Sequence, residues 1–357
     1  MTAAPGGSGS DRRSAGGARP GREGLLAAIE RMEGVPVLVV GDLVLDEFEY
    51  GEIGRVSREA PVLILEHRRT DRLPGGGANA AAKISALGGR AAVVGRIGTD
   101  EAGTQLSHLL ESRGVDISGL WRDDHYRTPL KRRILAGSPH ATKQQIVRVD
   151  RGGGPAIAAD DARFSAALKA ATSSVRGALV SDYGLGLLNP ASIPTVAEAV
   201  GKARIPMFVD SRSQLRLFRG VTAATPNLQE AESALGEPIG EDPDRLRRAA
   251  ALLRDAAGAE AVVVTRGSHG MTLFTGSPDP IQIPVYGTDE VADVTGAGDT
   301  VISTFTLAAL SGSDYHEAAL LANYAGGIVV MKRGTATVGR DELRRAVEGD
   351  STLDRRT

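Results

Sequence analysis

The sequence predicts an α/β fold in which a doubly wound, mostly parallel sheet is flanked by helices and carries a small lid of β-strands. Short, nearly continuous apolar runs alternate with longer helical patterns, as expected when parallel strands are buried on both faces. Two other segments alternate apolar and polar residues. They predict strands with one solvent-exposed face.

The elements follow in order along the chain. Apolar runs predict strands at 35–41, 91–97, 178–182, 206–210 and 261–267, and helical periodicity predicts helices at 78–87, 101–113, 161–174, 191–202 and 243–257. After residue 293 the pattern is almost entirely helical. It predicts one helix at 299–311 and a second that begins with Asp314 and Glu317 as a capping box and runs to about Met331.

The alternating segments lie at about 48–69 and 128–150. We expect them to form exposed antiparallel strands in a lobe over an edge of the main sheet. Residues 1–22 are rich in Gly, Ala, Ser and Arg, and this composition predicts a disordered tail because it offers little apolar surface to bury. We therefore expect one folded domain at 23–349, followed by a short tail at 350–357.

Charge and composition narrow the possible functions. Lys plus Arg number 42 and Asp plus Glu number 44, so the net charge is 42 − 44 = −2. A nearly neutral chain has no global attraction for nucleic acid or an anionic membrane. The chain has no cysteine, which excludes disulfides and thiolate nucleophiles. No apolar run reaches the roughly 18 residues of a membrane span, and we expect a cytoplasmic protein.

The strongest chemical signal is the segment 293–300, Asp-Val-Thr-Gly-Ala-Gly-Asp-Thr. A small-residue turn leads directly into an apolar helix, whose first turn has free amides and a partial positive charge. Such a turn can bind phosphate oxygens, and Asp299 at its mouth could accept a proton from a hydroxyl that attacks the phosphoryl group. The alternative is that Asp299 is only an N-cap, a role for which Asp is a preferred residue.

This octapeptide resembles the C-terminal signature of the ribokinase-like (PfkB) sugar kinases, and the resemblance extends over nearly all of the chain after about residue 34. Within the family, the chain is most similar to the heptose 7-phosphate kinases of ADP-heptose synthesis. The bifunctional members carry a second, nucleotidyltransferase domain, and we expect only the kinase half here. Further matches are Gly75-Gly76 with Asn79, Asn227 with Glu230, the loop 264–270, the segment 57–62 and the segment 334–338.

The resemblance implies that Asp299 is the catalytic base and that Gly296, Ala297 and Gly298 form an anion hole. It implies ATP and Mg²⁺ as cofactors, with Mg²⁺ held through water by Asn227 and Glu230. The alternative for Asn227 is that it only caps the following helix. A monovalent cation, K⁺ in some relatives, would lie at Asp293 and Thr295. The residues expected on the ATP side are Asn227, Leu228, Gln229, Glu230, Thr265, Gly267 and Asn323.

A sugar phosphate also needs hydroxyl-binding and cationic groups. The family pattern implies that Asp42, Asp46, Gly76, Asn79, Asp182 and Asp210 line the sugar site, with Lys131 and Arg133 of the lid on its phosphate. Exposed strands also carry Lys and Arg simply to protect sheet edges. The sequence departs from the heptose kinases at 210–213, where Asp-Ser-Arg-Ser replaces their usual Asp-Pro-Lys-Gly. This departure leaves the identity of the sugar open.

The sequence therefore predicts an ATP-dependent kinase for the anomeric hydroxyl of a heptose 7-phosphate. One alternative is a related kinase for another sugar, sugar phosphate or nucleoside, and another is a non-catalytic sugar- or nucleotide-binding regulator. The chain has no Gly-x-x-x-x-Gly-Lys-Ser/Thr phosphate loop. Glycines 75–77 do not follow a buried strand, which argues against a dinucleotide site. The exposed lid strands could pair across a homodimer.

Overall fold

The computed structural model describes residues 20–137, 143–287, 294–332 and 336–353. Its strands are β1 (Pro36–Gly41), β2 (Leu43–Val56), β3 (Leu63–Gly76), β4 (Arg90–Gly98), β5 (Asp116–Asp123), β6 (Arg127–Gly137), β7 (Gln144–Gly153), β8 (Gly177–Asp182), β9 (Met207–Ser211), β10 (Ala223–Ala224), β11 (Ala261–Thr265), β12 (Met271–Phe274) and β13 (Ile281–Ile283). Its α-helices are α1 (Arg22–Arg31), α2 (Gly77–Ala86), α3 (Glu101–Glu111), α4 (Ala162–Ala171), α5 (Ile193–Ala203), α6 (Leu228–Leu235), α7 (Pro243–Ala257), α8 (Ala297–Leu310), α9 (Tyr315–Val330) and α10 (Arg340–Gly349).

The main sheet has the strand order β13-β12-β11-β10-β9-β8-β1-β4-β5. The pairs from β11 through β5 are parallel, and only the β11–β12 and β12–β13 pairs at one edge are antiparallel. The predicted doubly wound, mostly parallel sheet is therefore confirmed. Its strands are close to those predicted, but β11 ends at Thr265 because Gly267 turns the chain with a φ of 58°.

Helices cover both faces of this sheet because successive residues of each strand point to opposite sides. On β1, Val37 and Val39 belong to the core beneath helices α2, α8 and α9, while Leu38 and Val40 belong to the core beneath α4, α5 and α7. Each of these four side chains is fully buried. This explains the continuous apolar run, since both faces of the strand need apolar residues.

A second, four-stranded sheet has the order β3-β2-β6-β7, and we call it the lid sheet. The chain passes from the main sheet to the lid sheet at Asp42, the single residue between β1 and β2. The two outer pairs are antiparallel as predicted, but the central pair, β2 with β6, is parallel. The expectation of purely antiparallel strands was wrong at this pair, because β6 is reached through a β4–α3–β5 crossover rather than a hairpin.

The helices after residue 293 agree well with the sequence pattern. Helix α8 begins at Ala297 rather than at 299. The predicted capping box of α9 is present, since the Asp314 side chain accepts from the Glu317 amide at 2.8 Å and Glu317 accepts from the Asp314 amide at 3.2 Å. The limits 23–349 and the terminal tails stay predictions, and residues 1–19 and 354–357 lie outside the described ranges.

Candidate active site

The candidate site lies at the carboxyl ends of the parallel strands, where ligands bind in open α/β sheets. Asp42 follows β1, Tyr183 follows β8, Arg212 follows β9 and Thr265 ends β11. The N-terminus of α8, with Asp299 in its first turn, faces the same edge. We call the space that these residues line the cleft.

Asp299 is 4% exposed, and its carboxylate is held by groups from two other elements. The Asn79 amide of α2 donates to Oδ2 at 2.5 Å, and the Tyr183 hydroxyl donates to Oδ1 at 2.7 Å. The N-cap of α8 is Gly296, so Asp299 does not cap its own helix. The carboxylate is therefore positioned toward the cleft by α2 and the loop after β8.

Burial raises the pKa of Asp299 above its usual value, because a carboxylate loses hydration in a low-dielectric site. The buried ammonium of Lys83 opposes this shift, followed by the hydrogen bonds from Tyr183 and Asn79. The pKa of Tyr183 is raised as well: burial and the neighbouring charge of Asp299 hold the pKa of its phenol well above 10. Tyr183 is thus held as a neutral donor to Asp299.

The predicted anion-hole residues lie at the start of α8, with Gly296 as its N-cap and Ala297 and Gly298 as its first two residues. Gly296 adopts a φ of 75°, a region that favours glycine. A side chain at Gly298, the second residue of α8, would meet nothing within 4 Å, so this position faces open space. The Ala297 amide, in contrast, bonds the Val294 carbonyl at 3.2 Å. Of the predicted anion-hole residues, Gly298 has the most open surroundings.

Asn227 caps α6, as the alternative interpretation expected. Its side chain accepts from the Glu230 amide at 2.9 Å, and Glu230 accepts from the Asn227 amide at 2.8 Å. Asn227 also pairs with Thr265 at the end of β11. Capping therefore fixes Asn227 and Glu230 beside the loop expected to bind nucleotide.

Three carboxylates face one another across this end of the cleft. Burial raises the pKa of Asp210 well above its ordinary value, and the charges of Asp299 and Glu230 add to the shift. Burial likewise raises the pKa of Glu230. The Arg212 guanidinium opposes both shifts, but three carboxylates outnumber this one cation, and the remaining negative charge fits a bound cation. Among the described residues, no cluster of three or more His, Cys, Asp or Glu side chains could hold a metal ion by itself.

The remaining predicted nucleotide residues lie on neighbouring elements. Gly267 opens a short 3-10 turn, and the Asn323 amide of α9 donates to the Pro284 carbonyl at 2.9 Å. Leu228 packs against the core beneath α4, α5 and α7, while Gln229 is exposed. Of the predicted monovalent-cation pair, Thr295 lies in the turn before α8. Asp293 lies outside the described residues.

Two of the predicted sugar-binding carboxylates, Asp42 and Asp182, accept hydrogen bonds from backbone amides. Asp42 accepts from the backbone amides of Tyr183, Leu185 and Leu187 at 3.0–3.1 Å, and burial raises its pKa to about 6. Asp182 accepts from the Gly184 amide and from the side chains of Ser211 and Gln214. Both shape the loop after β8, and their contact with sugar stays a prediction.

Gly76 has a structural reason to be glycine. Its φ is 58°, and a Cβ there would lie 2.5 Å from the Asp42 carbonyl oxygen. This close approach lets α2 begin beside the end of β1 and brings Asn79 to Asp299.

Cationic side chains from the lid sheet and the loop after β9 meet above Tyr183. The Lys131 ammonium lies 5.0 Å and the Arg212 guanidinium 4.3 Å from the Tyr183 ring centroid. Arg133 instead donates to Asp46 at 2.6 Å. In the described part of the chain, Lys131 and Arg212 form no side-chain ion pair. These two cations are therefore better placed than Arg133 to receive an anion.

Three site residues escaped the sequence reasoning as individual predictions: Tyr183, Arg212 and Lys83. Tyr183 directly follows β8, and Arg212 stands in the segment that departs from the heptose kinases, but neither position reveals a role. Lys83 gives the clearest signal, because it is a charged residue in the otherwise apolar run 80–84.

The sequence matches the pfkB family carbohydrate kinase model over residues 37–342. The chain belongs to the pfkB family of carbohydrate kinases. It is thus a phosphotransferase that acts on a hydroxyl group, and ATP is the substrate that the family uses. The bifunctional protein HldE of Geobacter sulfurreducens is 39% identical over 311 residues, covering 87% of this chain and 62% of that protein.

A second relative, the bifunctional protein HldE of Azotobacter vinelandii, is 39% identical over 330 residues, covering 92% of this chain and 67% of that protein. The chain therefore spans about two thirds or less of these relatives.

Solved structures show the same fold. Arabidopsis thaliana ribokinase complexed with ribose and ATP superposes with a TM-score of 0.69 at 21% identity, covering 89% of this chain and all (100%) of that one. Escherichia coli phosphofructokinase-2 in complex with substrates and products superposes with a TM-score of 0.70 at 20% identity, covering 90% of this chain and 100% of that one. The predicted ribokinase-like fold is confirmed. Over the described ranges, the kinase has no helix that is long and apolar enough to cross a membrane.

Proposed function

We propose that the chain transfers the γ-phosphoryl group of ATP to the anomeric hydroxyl of a heptose 7-phosphate, giving the 1,7-bisphosphate, with Asp299 as general base. The observation that carries this proposal is the buried Asp299 carboxylate, which Asn79 and Tyr183 hold toward the cleft. A carboxylate there can take the proton of the attacking hydroxyl. The amides of the turn at Gly296, Ala297 and Gly298 would stabilise charge on the transferring phosphoryl group.

ATP would lie along the ends of β10 and β11, contacting Thr265, Gly267 and Asn323. Asn227 and Glu230 would hold Mg²⁺ through water, and Asp210 faces the same space. When bound, Mg²⁺ would neutralise the charge of the ATP phosphates. A monovalent cation at Asp293 and Thr295 is also proposed, on the family resemblance alone.

The phosphate of the acceptor would bind between Lys131 and Arg212. Both cations lie close to the Tyr183 ring. The hydroxyl of this tyrosine donates a hydrogen bond to Asp299, so the proposed phosphate site is next to the proposed base. An anion there would offset their mutual repulsion, which together with burial lowers the pKa of Lys131. Arg is well suited to bidentate phosphate contact. Arg212 can therefore take over the cationic role of the lysine that the heptose kinases usually carry in this segment.

The heptose is supported by the sequence resemblance and by relatives that carry the name bifunctional protein HldE. The lid sheet would close over the sugar and exclude water, which would otherwise accept the phosphoryl group. A homodimer through the lid sheet is also proposed, because this sheet leaves large apolar side chains exposed. These are Ile53, Val56, Leu63, Ile146, Val147 and Val149, and Val62 in the loop between β2 and β3 is exposed as well.

The test is an ADP-release assay over a panel of acceptors: heptose 7-phosphate, heptose, ribose, fructose 6-phosphate and adenosine, with ³¹P NMR of each product. We expect the highest kcat/KM with heptose 7-phosphate and a new anomeric phosphate resonance. Turnover with free sugars only would reject the sugar-phosphate acceptor. Absence of turnover with the whole panel would favour the non-catalytic regulator.

A further inference from the structure

Lys83 is a buried lysine in a helix whose other residues around it are apolar or small. It is 1% exposed and belongs to α2. Lysine is almost never fully buried without a partner, since removing an ammonium from water is costly. The question is therefore which group compensates its charge.

The geometry of α2 points to Asp299. Residues four apart on a helix lie on one face, so Lys83 lies one turn beyond Asn79, which bonds Asp299 directly. The same face of α2 contacts α8, because the Ser303 hydroxyl donates to the Ala80 carbonyl at 3.2 Å. Lys83 thus faces the part of α8 that carries Asp299.

A backbone carbonyl holds the Lys83 ammonium in place. Its Nζ donates to the Ala336 carbonyl at 2.6 Å, in the segment that leads to α10. A second lysine, Lys332, donates to the next carbonyl, that of Thr337, at 2.8 Å and pairs with Glu342. Lys83 and Lys332 therefore both bind carbonyls of the segment before α10. Of these two, Lys83 lies on the face of α2 beside Asp299.

We propose that Lys83 is a positioning residue for the phosphoryl transfer: its buried ammonium is the charge partner that keeps Asp299 ionised and ready to accept a proton. This inference rests on the proposed role of Asp299 as base. The mutual effect of the two groups agrees with it. Burial lowers the pKa of Lys83 to about 8, while the charge of Asp299 opposes that shift, and Lys83 in turn opposes the upward shift at Asp299.

Other groups also face Asp299. Tyr183 donates to it, while Asp46 of β2 and Asp210 of β9 are like charges that disfavour its ionisation. Without Lys83, the carboxylate would keep its two hydrogen bonds but would lose the cation that most favours its ionised form, while Asp46 and Asp210 would still oppose ionisation. The expected consequence is that Asp299 stays protonated to a higher pH.

The first test is a double-mutant cycle on urea unfolding of the unliganded protein, with Lys83→Met, Asp299→Asn and the double variant. Each single change leaves one buried charge without its partner, so we expect the double variant to be more stable than the sum of the single effects. Lys332→Met is the matched control, because it also removes a lysine hydrogen bond to the segment before α10. Its effect on the free energy of unfolding should be additive with that of Asp299→Asn. If the effects of Lys83→Met and Asp299→Asn on the free energy of unfolding are additive, the inference is overturned.

The second test is the pH profile of kcat. We expect Lys83→Met to move the acidic limb upward by about one pH unit or more, which lowers kcat roughly tenfold on that limb. Lys332→Met should leave the limb in place. If the limb is unmoved in Lys83→Met, the positioning role is wrong. The unfolding cycle needs no substrate, so retained turnover in Asp299→Asn would reject the base while the cycle still decides the Lys83–Asp299 pairing.

Discussion

The hydroxyl of Tyr183 donates a 2.7 Å hydrogen bond to Oδ1 of Asp299, joining a loop after β8 to the first turn of α8. This bond stabilises the charged form of the carboxylate and so favours a lower pKa for Asp299. It also places the Tyr183 ring beneath Lys131 and Arg212. A single side chain thereby links the proposed base to the proposed phosphate site.

Removing this hydroxyl in Tyr183→Phe should raise the pKa of Asp299. Activity that needs ionised Asp299 is lost as the pH falls through that pKa, so we expect the acidic limb of kcat to move upward and kcat to fall roughly tenfold on that limb. The measurement is kcat against pH. Tyr315→Phe is the control, because it removes a hydroxyl bonded to Glu260 at the opposite edge of the sheet. Superimposable profiles for Tyr183→Phe and the wild type would contradict this role.

Glu230→Gln separates metal binding from helix capping. Gln can form the capping-box hydrogen bond as Glu does, so stability should be nearly unchanged, while the negative charge beside the proposed Mg²⁺ site is lost. We expect the Mg²⁺ concentration for half-maximal activity to rise roughly tenfold. The control is Glu317→Gln in the capping box of α9, which should leave this concentration unchanged. If both variants have the wild-type Mg²⁺ dependence, Glu230 acts only as a capping residue.

Arg212→Met and Lys131→Met should each weaken binding of a phosphorylated acceptor. Losing one charge-assisted contact is expected to raise KM for the sugar phosphate about tenfold or more, with little change in KM for ATP. The exposed Lys202, paired with Glu198 on α5, provides the control variant Lys202→Met. Equal KM values for the sugar phosphate in Arg212→Met and the wild type would place the phosphate elsewhere.

Asp42→Asn should loosen the loop that carries Tyr183. Oδ2 of Asp42 accepts from the Tyr183 and Leu185 amides and Oδ1 accepts from Leu187, and an Asn would oppose one of these donors with its own N–H groups. We expect a loss of about 1–3 kcal/mol in the free energy of unfolding, measured by urea titration. A smaller loss than about 0.5 kcal/mol would show that the amides find other partners.

The pH dependence of that free energy also has a definite sign. Burial raises the pKa of Asp42 to about 6 from an ordinary value of 3.8, so the folded state binds more protons than the unfolded state between these values. Its contribution to stability therefore declines as the pH rises from about 4 to 6. Asp42→Asn has no titrating group at this position, so its free energy of unfolding should lack this decline, and urea titrations at about pH 4 and about pH 6 should show the decline in the difference between the two proteins.

The sequence predicted those features that local patterns encode. The continuous apolar run of β1 shows that it is buried on both faces, and Asp299, Asn79 and Glu230 stand in short motifs that resemble those of the family. The parallel pairing of β2 with β6 was not predicted, because alternation along one strand does not reveal the direction of its neighbour.

Contacts between distant segments explain what the sequence reasoning missed. The partner of Asp299 on the loop after β8 is 116 residues away, and Lys83 reaches a carbonyl 253 residues away. No spacing rule encodes such contacts. The engagement of Asp42 and Asp182 by backbone amides likewise became visible only once the loop after β8 was placed.

The central claim is that Asp299 takes the proton of the attacking hydroxyl, and the most direct measurement is kcat of Asp299→Asn with heptose 7-phosphate at saturating ATP and Mg²⁺. Asn is nearly isosteric but cannot accept the proton, so we predict that kcat falls about 10²–10⁴-fold while KM changes little, in a variant whose circular dichroism matches the wild type. A kcat within a few-fold of the wild-type value would contradict the account.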